Sequence, residues 1–309
     1  MKHRTPFKIL AACAVALTVA LAGCSSGGPG GGAGNDSASA GSGGSAPESK
    51  GTIKLAYVEW DSCVAATNVA AAVLEKAGYD VKTISVSGAL MFEGLANGDA
   101  DAVVCAWLPT THADYYARAK DRLEKLGVNM KSARLGLAVP DYMDIDSITD
   151  LANEDVAKKI DNRIVGIDPG AGIMRLTHKV IDAYKLPEKL VSGSDATMTA
   201  VLADAIRKKE PVVVTSWKPH WMWASWDLKF LDDPDNVYGK PDDIYTVARK
   251  GLKDDMPAAY AILGKFRLDG DARGEVMAAD RKDGADPKAD ARQWVDEHAD
   301  EVSSWMSGT

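Results

Sequence analysis

Pro211-Val212-Val213-Val214-Thr215-Ser216-Trp217-Lys218-Pro219-His220-Trp221-Met222-Trp223 sets an apolar, β-branched run directly against a group of indoles. Residues 211–215 read as a short buried strand, of the kind found in sheets covered on both faces. Four of the eight tryptophans, Trp217, Trp221, Trp223 and Trp226, follow within ten residues, in a chain that is 7% aromatic. Indoles gathered just past a strand end place flat π surface there. Packing is the ordinary reading of Trp221, Trp223 and Trp226. Trp217 stands apart because it follows the strand directly and because other segments repeat the arrangement.

Working outward, Ile53 to Val58 alternates as a strand and opens into Glu59-Trp60-Asp61-Ser62-Cys63, before a helix over Val64 to Ala77 that stops at Gly78. Val81 to Val86 is a second strand and Leu90 to Ala96 a short helix. Asp101 to Cys105 is a third strand, running into Ala106-Trp107-Leu-Pro-Thr-Thr-His112. The pattern predicts a helix over Ala113 to Leu126 and an extended run over Arg134 to Val139. Ile164 to Ile167 is a buried strand, followed by Asp168-Pro-Gly-Ala-Gly172 and a helix from Ile173 to Tyr184 with Leu176, Val180 and Ile181 on its apolar stripe. A helix over Thr197 to Lys208 leads to the 211–215 strand. Tyr245 to Arg249 reads as a returning strand, and the rest is helical: Pro257 to Phe266, a turn or helix near Gly274 to Asp280, and Lys288 to Trp305, where Trp294, His298 and Trp305 share a packing face.

Strands alternating with helices predict an α/β fold with largely parallel sheets flanked by helices. Trp60, Trp107 with His112, Gly172 with Ile173, and Trp217 each fall just beyond a predicted strand. In open α/β sheets, ligands bind beyond the carboxyl ends of strands, so the recurrence points to one site built from four loops. The expectation is a two-lobed molecule with the ligand cleft between lobes, lobe I from residues 51–140 and 243–309 and lobe II from 141–242.

The ends and the composition bound the compartment and the partners. Lys2, Arg4 and Lys8 precede an apolar run from Ile9 to Ala22, and Leu21-Ala22-Gly23-Cys24 follows, so residues 1–23 read as an export signal. Cys24 resembles the acylated cysteine of a bacterial lipobox, with a plain secreted signal as the alternative; two acyl chains would tether the protein to the outer face of the cytoplasmic membrane. Residues 24–50 are the anchor and a Gly/Ser-rich flexible linker. Removing three lysines and arginines takes the formal charge from -8 to -11. So acidic a chain argues against nucleic acid as a partner. Cys63 and Cys105 are either a disulfide or two separate buried thiols. No metal-ligand spacing accompanies them and no cofactor motif is found.

Three indoles from separate segments have no useful proton chemistry, but each offers a face to a diffuse cation. The N–H groups of Gly172 and Ile173 open a helix, where an anion is favoured, and His112 can donate to the same anion. An ordinary strand-to-helix turn is the alternative for that loop. The inferred ligand carries a quaternary cation at one end and a carboxylate at the other, a betaine.

At this point Trp107-Leu-Pro-Thr-Thr-His112, Gly166-Ile-Asp-Pro-Gly-Ala-Gly-Ile-Met174, Ser216-Trp-Lys-Pro-His-Trp-Met222 and Leu228-Lys-Phe-Leu-Asp-Asp-Pro234 resemble the glycine betaine substrate-binding proteins of ATP-binding-cassette importers, over about Ile53 to Phe266. The resemblance implies a periplasmic-binding-protein-like fold, a tryptophan prism of Trp60, Trp107 and Trp217 around trimethylammonium, and the Gly172 and Ile173 amides with His112 on the carboxylate. It also implies a permease and its ATPase as partners. Cys63 and Cys105 are not part of that pattern, and a bond between them would brace one wall of the site. Glycine betaine, proline betaine, choline, carnitine and sulfonium analogues all remain open as ligands. The rival readings are a surface-anchored hydrolase acting on choline esters and a scaffolding lipoprotein without a ligand. The hydrolase would need an activated nucleophile, and no G-x-S-x-G, H-E-x-x-H or P-loop is present.

Overall fold

Ile53 and Leu55 are fully buried on either side of half-buried Lys54, the alternation that makes residues 52–57 a strand facing a core. The computed structural model describes residues 49–308, so the expected export signal, the acylated Cys24 and nearly all of the linker lie outside the described residues. The first half of the chain gives β1 (Thr52–Tyr57), α1 (Asp61–Lys76), β2 (Asp80–Ser85), α2 (Gly88–Asn97), β3 (Ala102–Leu108), α3 (Ala113–Ala119) and a long β4 (Leu123–Pro140). Next come α4 (Glu154–Lys159), β5 (Arg163–Val165), α5 (Gly172–Tyr184), β6 (Lys189–Val191), α6 (Asp195–Lys208), β7 (Val214–Lys218), α7 (Met222–Ser225) and β8 (Leu228–Phe230). β9 (Asp242–Arg249) returns to the first half, and α8 (Leu252–Asp255), α9 (Pro257–Lys265), α10 (Gly270–Asp280), α11 (Pro287–Glu297) and α12 (Ala299–Met306) follow.

The strands hydrogen-bond in the order β2-β1-β3-β9-β4-β7-β5-β6, with β8 beside β4. At the two ends the pairs are parallel, β1 with β2 and β3, and β5 with β6 and β7, as strand–helix alternation requires. The middle is antiparallel, because β4 carries the chain out of the first half and β9 brings it back. The sheet is therefore mixed. β4 serves both halves: Leu123 to Ala133 pairs with β9, and Arg134 to Ala138 with β7. Register shifts near Gly127, Met130 and Ala133 bend it on the way.

Two sequence expectations change here. The helix predicted to Leu126 ends at Ala119, and Leu123-Glu-Lys-Leu126 is strand. Its Glu and Lys favour helix, yet Leu123 and Lys125 stand opposite Arg249 and Val247 of β9, and that pairing overrides a weak propensity. The single helix predicted over 288–305 is two. His298 caps the end of α11 outside helical geometry, its Nδ1 hydrogen-bonds the Trp294 carbonyl, and its ring stacks on Trp294 with centroids 4.0 Å apart.

The core of the first half lies around α1. Its Ala65, Ala66, Val69, Ala70, Val73 and Leu74 are all at most 2% exposed, because β1 and β3 cover one side and α10 and α11 the other. Alanine lets those neighbours approach closely. Behind the start of α1, fully buried Arg273 donates from Nη1 to the Ser62 carbonyl and from Nη2 to Asn129 Oδ1 and the Leu268 carbonyl. Burial lowers its pKa to about 10, which leaves it charged at neutral pH. Among the described residues, no helix is long and apolar enough to cross a membrane.

Candidate functional site

Trp60 ends the loop after β1 and sits at the N-cap of α1; it is 7% exposed. Trp107 and Trp217 were expected in loops past strand ends. Both lie inside strands, Trp107 in β3 opposite Ile244 and Trp217 in β7 opposite Leu135. β7 begins at Val214, three residues later than the apolar run suggests, so the indole comes from the rigid sheet. With His112, Gly172 and Ile173, the three tryptophans line one cavity. Ser62, Thr111, Leu135, Ile167 and Ala171 complete the wall.

The turn that carries His112 is closed twice on Trp107: the His112 N–H donates to the Trp107 carbonyl (2.9 Å), and the Trp107 N–H donates to His112 Nδ1 (3.0 Å). An Nδ1 that accepts has no proton, so the neutral ring carries its hydrogen on Nε2. Burial, helped by the Arg175 charge, lowers the pKa of His112 to about 3. His112 is therefore a neutral Nε2–H donor throughout the ordinary pH range. Asp242 fixes the same turn, accepting from the Thr110 N–H (2.6 Å), the Thr111 N–H (2.8 Å) and the Thr111 hydroxyl. Nothing in the sequence around Pro241-Asp242 pointed to this role.

α5 starts without a side-chain cap at Ala171. Among the described residues, the N–H groups of Gly172 and Ile173 have no hydrogen-bond partner, so two donors at the positive end of a helix are free for an anion. Gly172 is required by contact: a Cβ there would lie 2.2 Å from the Thr111 carbonyl oxygen. Arg175, one turn on, reaches the same turn through Nη2 to the Thr110 and Thr111 carbonyls (3.2 Å each) and pairs with Asp114. Tyr115 donates to the Gly170 carbonyl (2.7 Å).

Cys63 and Cys105 form a disulfide, with Cα atoms 5.4 Å apart, joining the first turn of α1 to β3. It lies close in sequence to both Trp60 and Trp107. The clustered tryptophans have other work. The Trp221 indole N–H donates to Asp61 Oδ2 and Arg281 covers its ring at 4.0 Å. The Trp223 N–H donates to the Trp217 carbonyl (3.0 Å), and Trp226 packs edge-on to Trp221. Asp61, Asp195 and His220 bring ligand-type atoms within 4.8 Å of one another. Protein donors already occupy them: Asp195 accepts from the Asp61 N–H and from His220 Nε2, whose Nδ1 takes the Met222 N–H.

Three indole faces, one neutral imidazole N–H and two unpaired main-chain N–H groups can hold a diffuse cation and an anion together. Ser62 and Thr111, the hydroxyl residues of the wall, make no hydrogen bond to His112 among the described residues.

Residues 51–297 match the family model of the substrate-binding domain of ABC-type glycine betaine transport systems. The glycine betaine/carnitine transport binding protein GbuC of Listeria monocytogenes is 44% identical over 160 residues, 51% of this chain and 53% of that protein, so the aligned part spans about half of that relative. Lactococcal OpuAC, in a closed conformation complexed with glycine betaine, superposes with a TM-score of 0.78 at 38% identity, covering 83% of this chain and 99% of that one. The glycine/betaine/L-proline-binding protein ProX of Borrelia burgdorferi gives 0.80 at 34% identity over 83% and 97% of the two chains.

Proposed function

The chain belongs to the substrate-binding domains of ABC-type glycine betaine transport systems, and from that premise we propose that it captures a carboxylated quaternary ammonium, glycine betaine first, for import. Trp60, Trp107 and Trp217 enclose the trimethylammonium, while Gly172 N–H, Ile173 N–H and His112 Nε2–H take the carboxylate. The observation that carries this reading is the convergence of all six residues on one cavity.

The magnitudes require both ends of the ligand. Each indole contributes about 0.5–1 kcal/mol to a cation when exposed and about 2 when desolvated, so three give roughly 3–6 kcal/mol gross. Micromolar binding needs about 8 kcal/mol. Hydrogen bonds to a charged carboxylate, about 1.5–3 kcal/mol each, supply the rest, which favours a betaine over choline.

Residues 51–140 with 243–309 act as lobe I and 141–242 as lobe II, with β4 and β9 as the connecting strands. Trp60, Trp107 and His112 come from the first and Gly172, Ile173 and Trp217 from the second, so the ligand is held by both. Its greater affinity for the closed arrangement drives closure. Hydrogen bonds already crossing the cleft, Trp60 to Asp168 and Tyr115 to Gly170, support this reading. The closed form is delivered to a permease and its ATPase. Acylated Cys24 holds the protein at the outer face of the cytoplasmic membrane, and the chain has no catalytic role. No observation favours the choline-ester hydrolase: the wall hydroxyls are not coupled to His112, and the two cysteines are bonded to each other.

Titrating intrinsic tryptophan fluorescence with glycine betaine, proline betaine, carnitine and choline tests the proposal. Saturable micromolar binding of the betaines, with choline weaker, is expected; no response to any of them, or turnover of a choline ester, would overturn it.

A further inference from the structure

The three cavity tryptophans are not equivalent. The Trp60 indole N–H donates to Asp168 Oδ2 at 2.8 Å, across 108 residues of sequence, whereas among the described residues the Trp107 and Trp217 indole nitrogens donate to no protein acceptor. Asp168 is half-buried and makes no ion pair with any Lys, Arg or His among the described residues, so its charge is not cancelled by a protein cation. The Trp60 ring is pinned on its other sides too. It stacks on His112 with centroids 5.8 Å apart and planes 22° from parallel, and a Cβ on Gly88 would lie 3.4 Å from its Cη2.

A carboxylate accepting from an indole N–H makes a charge-assisted hydrogen bond, stronger than a neutral one. Drawing the N–H proton toward an anion leaves more electron density on the ring. The negative face deepens, and that face is what attracts a cation. Because Asp168 belongs to the turn that ends in Gly172, the same short segment that offers donors to the ligand's anion also conditions one wall for its cation.

Resting on the betaine reading above, we propose that Asp168 is a positioning residue that makes the Trp60 wall select for positive charge: its carboxylate fixes the indole plane and, through the N–H bond, enriches the face toward the cavity. The selection acts on the ligand's charge rather than on its shape or its carboxylate.

The test compares glycine betaine with 3,3-dimethylbutanoate, its carbon isostere, which keeps the shape and the carboxylate and lacks the cation. Affinities are measured calorimetrically on the wild-type protein, Asp168→Asn and Asp168→Ala. Asp168→Asn retains an oxygen acceptor for the indole N–H, so its melting temperature and its affinity for the isostere should stay close to wild type, while the betaine-to-isostere preference falls about three- to tenfold. Asp168→Ala should show the same fall in preference and weaker binding of both ligands, because the ring is untethered. In Trp60→Phe, which has no N–H, adding Asp168→Asn should leave the preference unchanged. A wild-type preference retained in Asp168→Asn, or a parallel loss of both ligands in that variant, would overturn the proposal and reduce Asp168 to a structural contact. A wild-type protein that does not distinguish betaine from isostere would instead bring down the cage reading itself.

Discussion

The tryptophans crowded into residues 217–226 and the isolated Trp60 and Trp107 are used in opposite ways. Of the crowded four, only Trp217 lines the cavity; Trp221 gives its N–H to Asp61 and its faces to Arg281 and Trp226, and Trp223 gives its N–H to the Trp217 carbonyl and its face to Phe230. Both isolated tryptophans reach the cavity. Density along the chain therefore marks a brace, and recurrence beside successive strands marks the cavity. The isolated pair is also braced covalently, since the Cys63–Cys105 disulfide ties together the two elements that carry it.

That difference can be broken from either side. The largest effect expected is on stability: replacing Cys63 and Cys105 together by serine removes a cross-link spanning 42 residues, worth about 4 kcal/mol by chain entropy. A denaturant melt should show that loss, with betaine affinity changing only a few-fold, because Trp107 is still held in β3. Next, Trp107→Ala or Trp217→Ala should weaken glycine betaine binding well over tenfold, by about 2 kcal/mol for a desolvated ring. Trp226→Ala should instead lower the melting temperature and leave affinity within about twofold, a contrast that calorimetry and thermal melts can read on the same samples. If Trp226→Ala cost as much affinity as Trp217→Ala, the division between brace and site would be wrong.

At the other end of the cavity, His112→Ala should cost about tenfold in betaine affinity, the value of one hydrogen bond to a charged group, and much less for choline. The pH dependence follows from its protonation. The folded-state pKa is about 3 and the unfolded value about 6.5, so between those values the unfolded chain binds more protons. Stability from this group is complete above about pH 6.5 and is lost as pH falls toward 3. Affinity should be flat from pH 5 to 8 as far as His112 is concerned, which a titration series checks. The smallest effect lies behind the brace. Burial, then Asp290, Asp61 and Asp286, raise the pKa of Asp280 to about 7. Here the folded state binds the extra proton between the unfolded value of about 3.9 and the folded one, so stability from this group is complete below about pH 4 and is lost as pH rises to 7. Asp280→Asn should therefore raise the melting temperature more at pH 8 than at pH 5, and least at pH 4.

Much of this was legible in the residues. The alternation from Ile53 to Cys105 gave β1, α1, β2, α2 and β3 to within a few positions, because burial on two faces leaves a period that survives in the sequence. The six candidate residues were each marked by residue type and by position after a predicted strand, although Trp107 and Trp217 prove to lie within β3 and β7. The second half of β4 was legible as the extended run from Arg134, but its start was not: Leu123-Glu-Lys-Leu126 carries helix-forming side chains, and only a partner strand more than a hundred residues away makes it extended. Asp242, Leu135 and the bond between Asp168 and Trp60 were hidden for the same reason, since each takes its meaning from a contact distant in sequence. The split at His298 turns on one side-chain hydrogen bond that no periodicity records.

The central claim is that indoles grip a cation while a helix start and a neutral imidazole hold a carboxylate. A crystal structure of the protein with glycine betaine tests it most directly. The expected result has the trimethylammonium in van der Waals contact with the faces of Trp60, Trp107 and Trp217, and the carboxylate within hydrogen-bond distance of the Gly172 and Ile173 nitrogens and His112 Nε2. Betaine bound elsewhere, or bound there with its carboxylate turned toward the indoles, would contradict it.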